Sequence, residues 1–289
     1  MPNHFYQYYK NELNQFIDQA IKEDIGSGDH SGMSCISITK VNSAKLIVKE
    51  NGIMAGIKLA EILFHRYDPS LYFQPFVEDG DKVKKGIIAF KVEGNSQSIL
   101  ATERLVLNSM QRMSGIASLT YKLSQKIKHL NCHLLDTRKT TPNFRYPEKW
   151  AVKIGGGTNH RMGLFDALMI KDNHVDFCGG MKKTLQKTEK YISSLSKQFD
   201  VVVEARNIHE IDIILKFSWV SRILLDNFTK KELVNAIKLI DKRLPTEASG
   251  NITENNLIEM AETGVNFISM GALTYAAKPI DLSLQAVLT

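Results

Sequence analysis

The sequence predicts an α/β fold, in which a mixed N-terminal part is followed by an incomplete α/β barrel of about six strands. Two observations predict it. The chain has 289 residues, which at about 100–200 residues per domain gives one large domain or two ordinary ones. In the second part, six short apolar runs each end in polar residues, and segments able to form helices separate the later runs. Alternating strands and helices are typical of a parallel sheet.

The composition is that of a globular protein, with 43% hydrophobic and 24% charged residues. It excludes a disordered chain, a collagen-like chain and a disulfide scaffold. No apolar stretch approaches the roughly 18 residues that a membrane helix needs, and residues 1–6 lack the pattern of a signal peptide. Because Cys35, Cys132 and Cys178 are widely spaced and odd in number, we expect a reduced, cytoplasmic protein.

The formal net charge is +6 at pH 7 and the pI is near 9.0. Such an excess fits nucleic acid, a membrane surface or small anionic substrates as partners, or a lysine-rich composition with no partner. The positions of the cations along the chain must distinguish these possibilities.

The N-terminal part alternates between helix and strand patterns. Apolar residues on one helical face predict a helix over residues 11–23, and a second helix is expected over 57–66. Residues 44–49 alternate like a strand, and two strands are expected around Gly-Asp turns, over 77–83 and 86–92. A long helix is predicted from about residue 98 to 130.

The six apolar runs of the second part cover residues 133–135, 167–170, 201–203, 223–225, 246–248 and 267–270. Helices are clearest over 207–215, 230–240 and 254–263. Since closed barrels carry their chemistry at the carboxyl ends of the strands, the residues there are the candidate site. Periodicity does not distinguish a barrel from an open doubly wound sheet, which stays the alternative fold.

Two glycine-containing turns follow the last two strands. Ser249, Gly250 and Asn251 follow one strand, and Gly271 and Ala272 follow the next. Glycines let backbone N–H groups approach an anion closely, and the last two loops of a barrel are its usual phosphate site. Two such turns on consecutive units favour phosphate binding over plain turn chemistry.

Several basic side chains follow strands or the glycine run 155–157, namely Arg138, Lys139, His160, Arg161 and Lys171. Arginine offers a planar fork for carboxylate or phosphate, and lysine a point charge. Any one of them alone would be read as a solvated surface charge. Their shared position after strands predicts an anion pocket.

Glu204 and Asp226 end two neighbouring strands. Carboxylates there could bind Mg²⁺, accept hydrogen bonds from sugar hydroxyls or act as acid and base, although either could simply cap the next helix. His160 and His174 lack a zinc-ligand spacing, and no nucleophile triad is evident.

Long motifs in these regions resemble the nicotinate-nucleotide pyrophosphorylases (carboxylating), also called quinolinate phosphoribosyltransferases. The resemblance rests on residues 136–142, 155–164 and 170–174, and continues through 103–104, 111–117, 225–228, 247–250 and 271–274. It spans nearly the whole chain.

The resemblance implies a Mg²⁺-dependent reaction of quinolinate with phosphoribosyl pyrophosphate that gives nicotinate mononucleotide, pyrophosphate and CO₂, a step of NAD biosynthesis. It also implies an N-terminal α/β sandwich over residues 1–112, joined by residues 276–289, and a barrel over 113–275. The family is usually a homodimer in which an arginine reaches the neighbouring subunit's active site, and Arg104 matches that arginine.

The resemblance also implies residue roles. Lys139, Glu204 and Asp226 would be catalytic, and the two carboxylates would hold the ribose hydroxyls and Mg²⁺. The quinolinate carboxylates would face Arg104, Arg138, Arg161, Lys171 and His174. Lys139 and His160 would face the phosphates, and Ser249, Gly250 and Gly271 would form the cradle of the 5′-phosphate. Thr137, Asn251 and Ala272 would also bind substrate.

Some positions depart from the family pattern. Asn251 replaces a usual second glycine, and because Asn tolerates positive φ we expect the phosphate turn to survive. Tyr275 stands where many relatives have His, which puts one phosphate contact in doubt. Asn143 and the pair His30–Ser31 also differ.

Three alternatives remain at this level. A related phosphoribosyltransferase could act on another ring carboxylate. A Schiff-base aldolase would use Lys171 as its nucleophile, but it needs an apolar pocket that lowers the lysine pKa. A nucleic-acid-binding protein would show a basic stripe with interleaved aromatics, whereas these cations stand singly at strand ends. We therefore expect neither nucleic acid nor a membrane as partner.

Overall fold

The computed structural model describes residues 3–287. The chain divides into two compact units, the first comprising Met1–Lys122, Thr140–Gly156 and Leu273–Thr289, and the second comprising Leu123–Lys139 and Gly157–Ala272. Residues 1, 2, 288 and 289, which the domain prediction places in the N-terminal domain, lie outside the described residues. Within the described chain, no helix is long and apolar enough to cross a membrane.

The first unit contains a four-stranded antiparallel sheet, a two-stranded sheet and several helices. Its elements are α1 (Asn3–Tyr8), α2 (Lys10–Asp24), α3 (His30–Cys35), β1 (Val41–Val48), β2 (Gly52–Ile53), α4 (Ile57–Tyr67), β3 (Tyr72–Pro75), β4 (Lys82–Val83), β5 (Ile88–Asn95), most of α5 (Ser96–Ile127), and, later in the chain, α6 (Arg145–Ile154) and β12 (Leu282–Ala286).

Four of these strands form one sheet in the order β12-β1-β5-β3, and β2 pairs with β4. The long strand β1 lies between β5 and β12 and is antiparallel to both. Phe64, Phe73 and Phe90 pack together with ring centroids 4.7–5.9 Å apart. These aromatic contacts join α4 to the sheet and form part of the unit's core.

The helices expected over 11–23 and 57–66 are confirmed as α2 and α4, and the long helix as α5. The strand expected over 77–83 is wrong except for β4. Instead, the Asp79 carboxylate accepts the backbone N–H groups of Gly56 and Ile57 at 2.6 and 2.9 Å. The segment therefore makes a turn that satisfies the first amides of α4.

The second unit contains a six-stranded parallel sheet. Its elements are β6 (His133–Leu135), β7 (Leu168–Ile170), α7 (Asp172–Cys178), α8 (Met181–Ser193), β8 (Val201–Ala205), α9 (Ile208–Ile214), β9 (Arg222–Asp226), α10 (Lys230–Ile240), β10 (Thr246–Ser249), α11 (Leu257–Ala261), β11 (Phe267–Ser269) and the start of α12 (Ala272–Tyr275). All six predicted strands are confirmed, and α11 is shorter than the expected helix 254–263.

The strand order is β6-β11-β10-β9-β8-β7. From β7 to β11 each strand lies beside the next in the chain, and the first strand, β6, lies beside the last, β11. This cyclic order is that of a barrel and not of a doubly wound sheet, whose order reverses at a switch point. Within residues 3–287, β6 and β7 do not pair. The predicted incomplete six-stranded barrel is therefore confirmed.

Candidate active site

The carboxyl ends of the six parallel strands lie at one edge of the sheet and carry most of the predicted site residues. Only Arg104 belongs to the first unit, where it is exposed on α5. All the other predicted site residues lie in the second unit.

Arg138 and Arg161 form the cationic part of this edge. Arg138 is exposed after β6, whereas Arg161 is half-buried and donates from Nη1 to the Ala167 carbonyl at 3.3 Å. Burial and the positive charge of Arg138 lower the pKa of Arg161, and the negative charge of Asp166 partly offsets that shift. Two guanidinium groups that repel each other in this way are stabilised by an anion between them.

Two carboxylates hold the loop that carries Arg161. Asp136, fully buried at the end of β6, accepts the His160 N–H at 2.8 Å and the Asn159 side-chain amide at 2.6 Å. Asp166 accepts the N–H groups of residues 162 and 163 at 2.7 and 2.8 Å. Because the loop is tied on both sides of Arg161, its backbone there is fixed.

An inner charge cluster, Glu247, Arg222 and His160, lies deeper in the sheet. Glu247 on β10 is fully buried and accepts a hydrogen bond from Arg222 Nη1 at 2.9 Å. His160 Nε2 lies 3.3 Å from Glu247 Oε2, and its Nδ1 accepts the Arg161 N–H at 2.8 Å. Burial alone would raise the pKa of Glu247, but His160 and Arg222 lower it below its usual value.

The inner charge cluster bears on the role predicted for His160. With one ring nitrogen on the Arg161 amide and the other beside Glu247, the ring orients the loop. Direct phosphate binding by His160 stays a prediction. Glu247 and Asp136 were not among the predicted site residues. A signal existed for Glu247, because a carboxylate within a short, otherwise uncharged strand must find a partner when that strand is buried.

Lys171 and His174 lie at the start of α7, directly after β7. Lys171 Nζ lies 3.3 Å from Glu204 Oε2, and its side chain is 49% exposed. His174 Nδ1 accepts the Lys171 N–H at 2.9 Å, so the imidazole closes the first turn of α7. The lysine thus reaches the carboxylate of β8 while remaining open to solvent.

Glu204 and Asp226 lie on the adjacent parallel strands β8 and β9. Burial raises the pKa of Glu204, the Lys171 ammonium opposes that shift, and the charge of Asp226 adds to it. Burial also raises the pKa of Asp226, against Lys171 and a hydrogen bond from Asn227. Their negative charge is therefore only partly compensated by the protein.

This pair fits Mg²⁺ by its donor chemistry. Mg²⁺ takes hard oxygen ligands and is usually bound through one or two carboxylates plus substrate phosphates, with its remaining positions filled by water. A cation beside Glu204 and Asp226 would also relieve the repulsion that raises the pKa of Glu204. Within residues 3–287, no group of three or more His, Cys, Asp or Glu side chains could hold a metal alone.

The loop of residues 249–251, called the phosphate loop after its predicted ligand, joins β10 to the segment before α11. Gly250 has φ of 87° and Asn251 of 52°. Asn251 therefore adopts the left-handed conformation expected of an Asn in place of a glycine. Gly271 follows β11 after Met270, Ala272 begins α12, and Tyr275 is exposed at the end of that helix.

Comparisons with known proteins agree with this architecture. The family models described as the N-terminal and C-terminal domains of quinolinate phosphoribosyl transferase match residues 31–114 and 116–285. A mitochondrial quinolinate phosphoribosyltransferase [decarboxylating] of Nicotiana glauca is 43% identical over 95% of this chain and 82% of its own length. A probable nicotinate-nucleotide pyrophosphorylase [carboxylating] of Synechocystis is 37% identical over 95% of this chain and 92% of its own.

Solved structures resemble the chain over nearly its whole length. The nicotinate-nucleotide pyrophosphorylase of Francisella tularensis superimposes with a TM-score of 0.87 and 36% identity, covering 96% of each chain. A homologous structure from Streptococcus pyogenes gives a TM-score of 0.88 and 32% identity, covering 96% of this chain and 97% of its own. The resemblance drawn from the motifs is thereby confirmed.

Proposed function

Because this chain belongs to the quinolinate phosphoribosyltransferase family, we propose that it transfers a phosphoribosyl group from phosphoribosyl pyrophosphate to quinolinate with decarboxylation. The products are nicotinate mononucleotide, pyrophosphate and CO₂, and the reaction serves NAD biosynthesis. One observation carries this proposal. The basic side chains Arg138, Arg161 and Lys171 lie at the same edge of the sheet as the carboxylates Glu204 and Asp226.

The cations bind the acidic ring. Quinolinate is a dianion, and a pocket with two mutually repelling arginines gains most from a ligand with two carboxylates. Arg138 and Arg161 supply planar forks, and Lys171 supplies a point charge that can leave Glu204 for the substrate. His174 holds the backbone from which Lys171 projects. Lys139, exposed beside Arg138, neutralises the pyrophosphate.

The carboxylates act where positive charge develops. When the bond between the ribose C1 and the pyrophosphate oxygen breaks, the electron pair leaves with pyrophosphate and C1 becomes cationic. Glu204 and Asp226 stabilise that charge because they are already in place and incompletely neutralised. They also accept hydrogen bonds from the ribose hydroxyls.

The ring then carries the decarboxylation. The pyridine nitrogen uses its lone pair to form the bond to C1, which makes the ring cationic. The bond from C2 to its carboxylate breaks, CO₂ leaves, and the electron pair stays on C2 and is then protonated. Since the cationic ring is the electron sink, the chain needs no covalent intermediate, and positioning with electrostatics supplies the rate.

We propose Glu204 and Asp226 as the residues that hold Mg²⁺. Bound Mg²⁺ would neutralise charge on the pyrophosphate leaving group. Two observations support this proposal. Both side chains offer the hard oxygen ligands that Mg²⁺ prefers, and the raised pKa values of both carboxyls show that a nearby cation would stabilise their charged forms.

We propose a homodimer in which Arg104 completes the partner's quinolinate pocket. Arg104 is exposed on α5. Leu164, Phe165 and Phe177 are exposed apolar side chains of the second unit, near the loops of Arg161 and Lys171 in sequence. Large exposed apolar groups are typical of protein interfaces, which supports an assembled form.

We also propose a cytoplasmic location, supported by the absence of any disulfide among the three cysteines. The aldolase alternative is disfavoured because Lys171 is half-exposed and paired with Glu204, and not in an apolar pocket. Nucleic-acid binding is disfavoured because the sheet edge also carries the carboxylates Glu204 and Asp226, which would repel a phosphate backbone.

The substrate assignment is tested by comparing quinolinate with nicotinate as acceptors. Nicotinate lacks the second carboxylate and so loses about two charge-assisted hydrogen bonds. It should therefore be converted at least about a hundredfold more slowly. The measurement is chromatographic detection of nicotinate mononucleotide with phosphoribosyl pyrophosphate and Mg²⁺. Equal rates would contradict the dicarboxylate pocket and favour a relative acting on another ring acid.

A further inference from the structure

Three residues with left-handed backbone lie together after β9 and β10. Asn227 has φ of 59°, Gly250 of 87° and Asn251 of 52°. Among the described residues, five other than glycine have positive φ, and two of them are these asparagines. This conformation disfavours an L side chain unless that side chain is locally hydrogen-bonded. We therefore expect both asparagine side chains to make local hydrogen bonds.

The two loops interlock through Asn227. Its backbone N–H donates to the Ser249 carbonyl at 2.8 Å. Its side-chain amide fills the space beside Gly250, where any Cβ would overlap Asn227 Oδ1. The phosphate loop and the end of β9 are therefore packed as one piece, and Gly250 is required by this packing as well as by its φ.

The asparagine side chains continue this link to Asp226. Asn251 Nδ2 donates to Asn227 Oδ1 at 3.0 Å, and Asn227 Nδ2 donates to Asp226 Oδ2 at 2.7 Å. The Asn256 side chain holds the Asn251 carbonyl at 3.1 Å. An unbroken chain of amides thus runs from the phosphate loop to one oxygen of the carboxylate assigned to the ribose.

We propose that Asn251 and Asn227 are positioning residues that couple the phosphate loop to Asp226. When the loop binds the 5′-phosphate, the amide chain fixes the Asp226 carboxylate in the orientation that receives the ribose. This rests on the proposed function, because it needs a substrate that carries both a phosphate and a ribose. Glycine at position 251 could adopt the same backbone but could not donate to Asn227 Oδ1, so the connection depends on the Asn251 side chain.

A double-mutant cycle tests the coupling. Asn251→Gly and Asn227→Gly keep the left-handed backbone and remove only the amides. Each should weaken binding of phosphoribosyl pyrophosphate, and lower kcat/KM for it, by about threefold to tenfold, the usual effect of one hydrogen bond. The double variant should lose no more than the larger single variant, since either change breaks the same chain.

Binding is measured by calorimetric titration with phosphoribosyl pyrophosphate and Mg²⁺, and separately with quinolinate. Asp241→Gly, at another left-handed residue after α10, is the matched control and should bind as the wild type does. Quinolinate affinity and thermal unfolding should be unchanged in all variants. If Asn227→Gly binds phosphoribosyl pyrophosphate as tightly as the wild type, or if the two losses multiply, the coupling is overturned. If the wild type binds no phosphoribosyl pyrophosphate, the proposed function falls and the coupling with it.

Discussion

Two buried carboxylates of the same sheet behave in opposite ways. Glu247 in the inner charge cluster is fully buried and its pKa is lowered, because Arg222 and His160 face it. Glu204 at the carboxyl edge is 4% exposed and its pKa is raised, because burial and Asp226 outweigh the single ammonium of Lys171. The protein compensates the charge of Glu247 and only partly compensates that of Glu204. Burial alone therefore does not separate a structural carboxylate from a candidate ligand-binding one, whereas the extent to which the protein compensates its charge does.

Replacing Glu204 should give the largest kinetic effect. Glu204→Gln keeps the size of the side chain but removes the charge that stabilises the cationic ribose, so kcat should fall by about two to three orders of magnitude. Thermal unfolding should change little, because Lys171 remains solvated. Steady-state kinetics with a calorimetric melt measure both. A near-wild-type kcat would refute the assigned role.

Lys139→Ala should be nearly as damaging. Lys139 is exposed, so its loss should not destabilise the fold, yet it removes a charge that faces the pyrophosphate. We expect kcat to fall by about two orders of magnitude. The matched control is Lys153→Ala, which removes an exposed lysine of the first unit. If both variants turn over equally fast, Lys139 has no catalytic part.

Mixing two inactive variants tests whether the carboxyl edge needs a second copy of the chain. Arg104→Ala and Lys171→Ala should each be inactive alone. In mixed dimers one of the two sites regains both groups, so about a quarter of wild-type activity should return after random subunit exchange. The activity is assayed after exchange has been confirmed by native mass spectrometry. No recovery in confirmed mixed dimers would argue against an arginine supplied by the partner.

Glu247→Gln should show the opposite pattern to Glu204→Gln, with stability as the main loss. It leaves Arg222 and His160 without their carboxylate, which should lower the unfolding free energy by about 3 kcal/mol at pH 7. The folded-state pKa of Glu247 lies below its usual 4.5, so its stabilisation is present above pH 4.5 and is lost as the pH falls through the folded value. The difference between variant and wild type should therefore shrink in acid.

Denaturant titrations at pH 7 and pH 3.5 measure this difference. A constant gap would mean that the cluster stabilises by packing alone. A second readout is kinetic, because the same variant loosens the loop of Arg161. We expect KM for quinolinate to rise severalfold while kcat stays within about threefold, as for uniform loss of binding.

The sequence predicted the second unit better than the first. Its six strands are short apolar runs that end in polar residues, a local pattern. In the first unit, β3 and β12 were missed because each is a short edge strand whose pairing is set far away in the chain, as when residues 282–286 pair with β1. The segment 77–81 was wrongly assigned to a strand. Its actual role is to cap α4 through Asp79, and a local pattern cannot show it because the contact joins residues more than twenty positions apart.

In the candidate site too, features set by local sequence could be predicted, and features set by contacts between distant residues could not. Arg138, Lys171, Glu204 and Asp226 could be predicted because they lie at or shortly after the carboxyl ends of strands. The charge compensation of Glu247 could not be predicted, because its partners Arg222 and His160 come from a different strand and from a loop. The link from Asn251 through Asn227 to Asp226 also arises only when β9 and β10 lie side by side.

The proposed decarboxylation is tested by following one carbon of quinolinate. Quinolinate labelled with ¹³C in the carboxylate at C2 is incubated with the protein, phosphoribosyl pyrophosphate and Mg²⁺, and labelled CO₂, nicotinate mononucleotide and pyrophosphate are quantified together. We expect one labelled CO₂ for each nucleotide and each pyrophosphate formed. Label retained in the nucleotide, or no nucleotide at all, would contradict it.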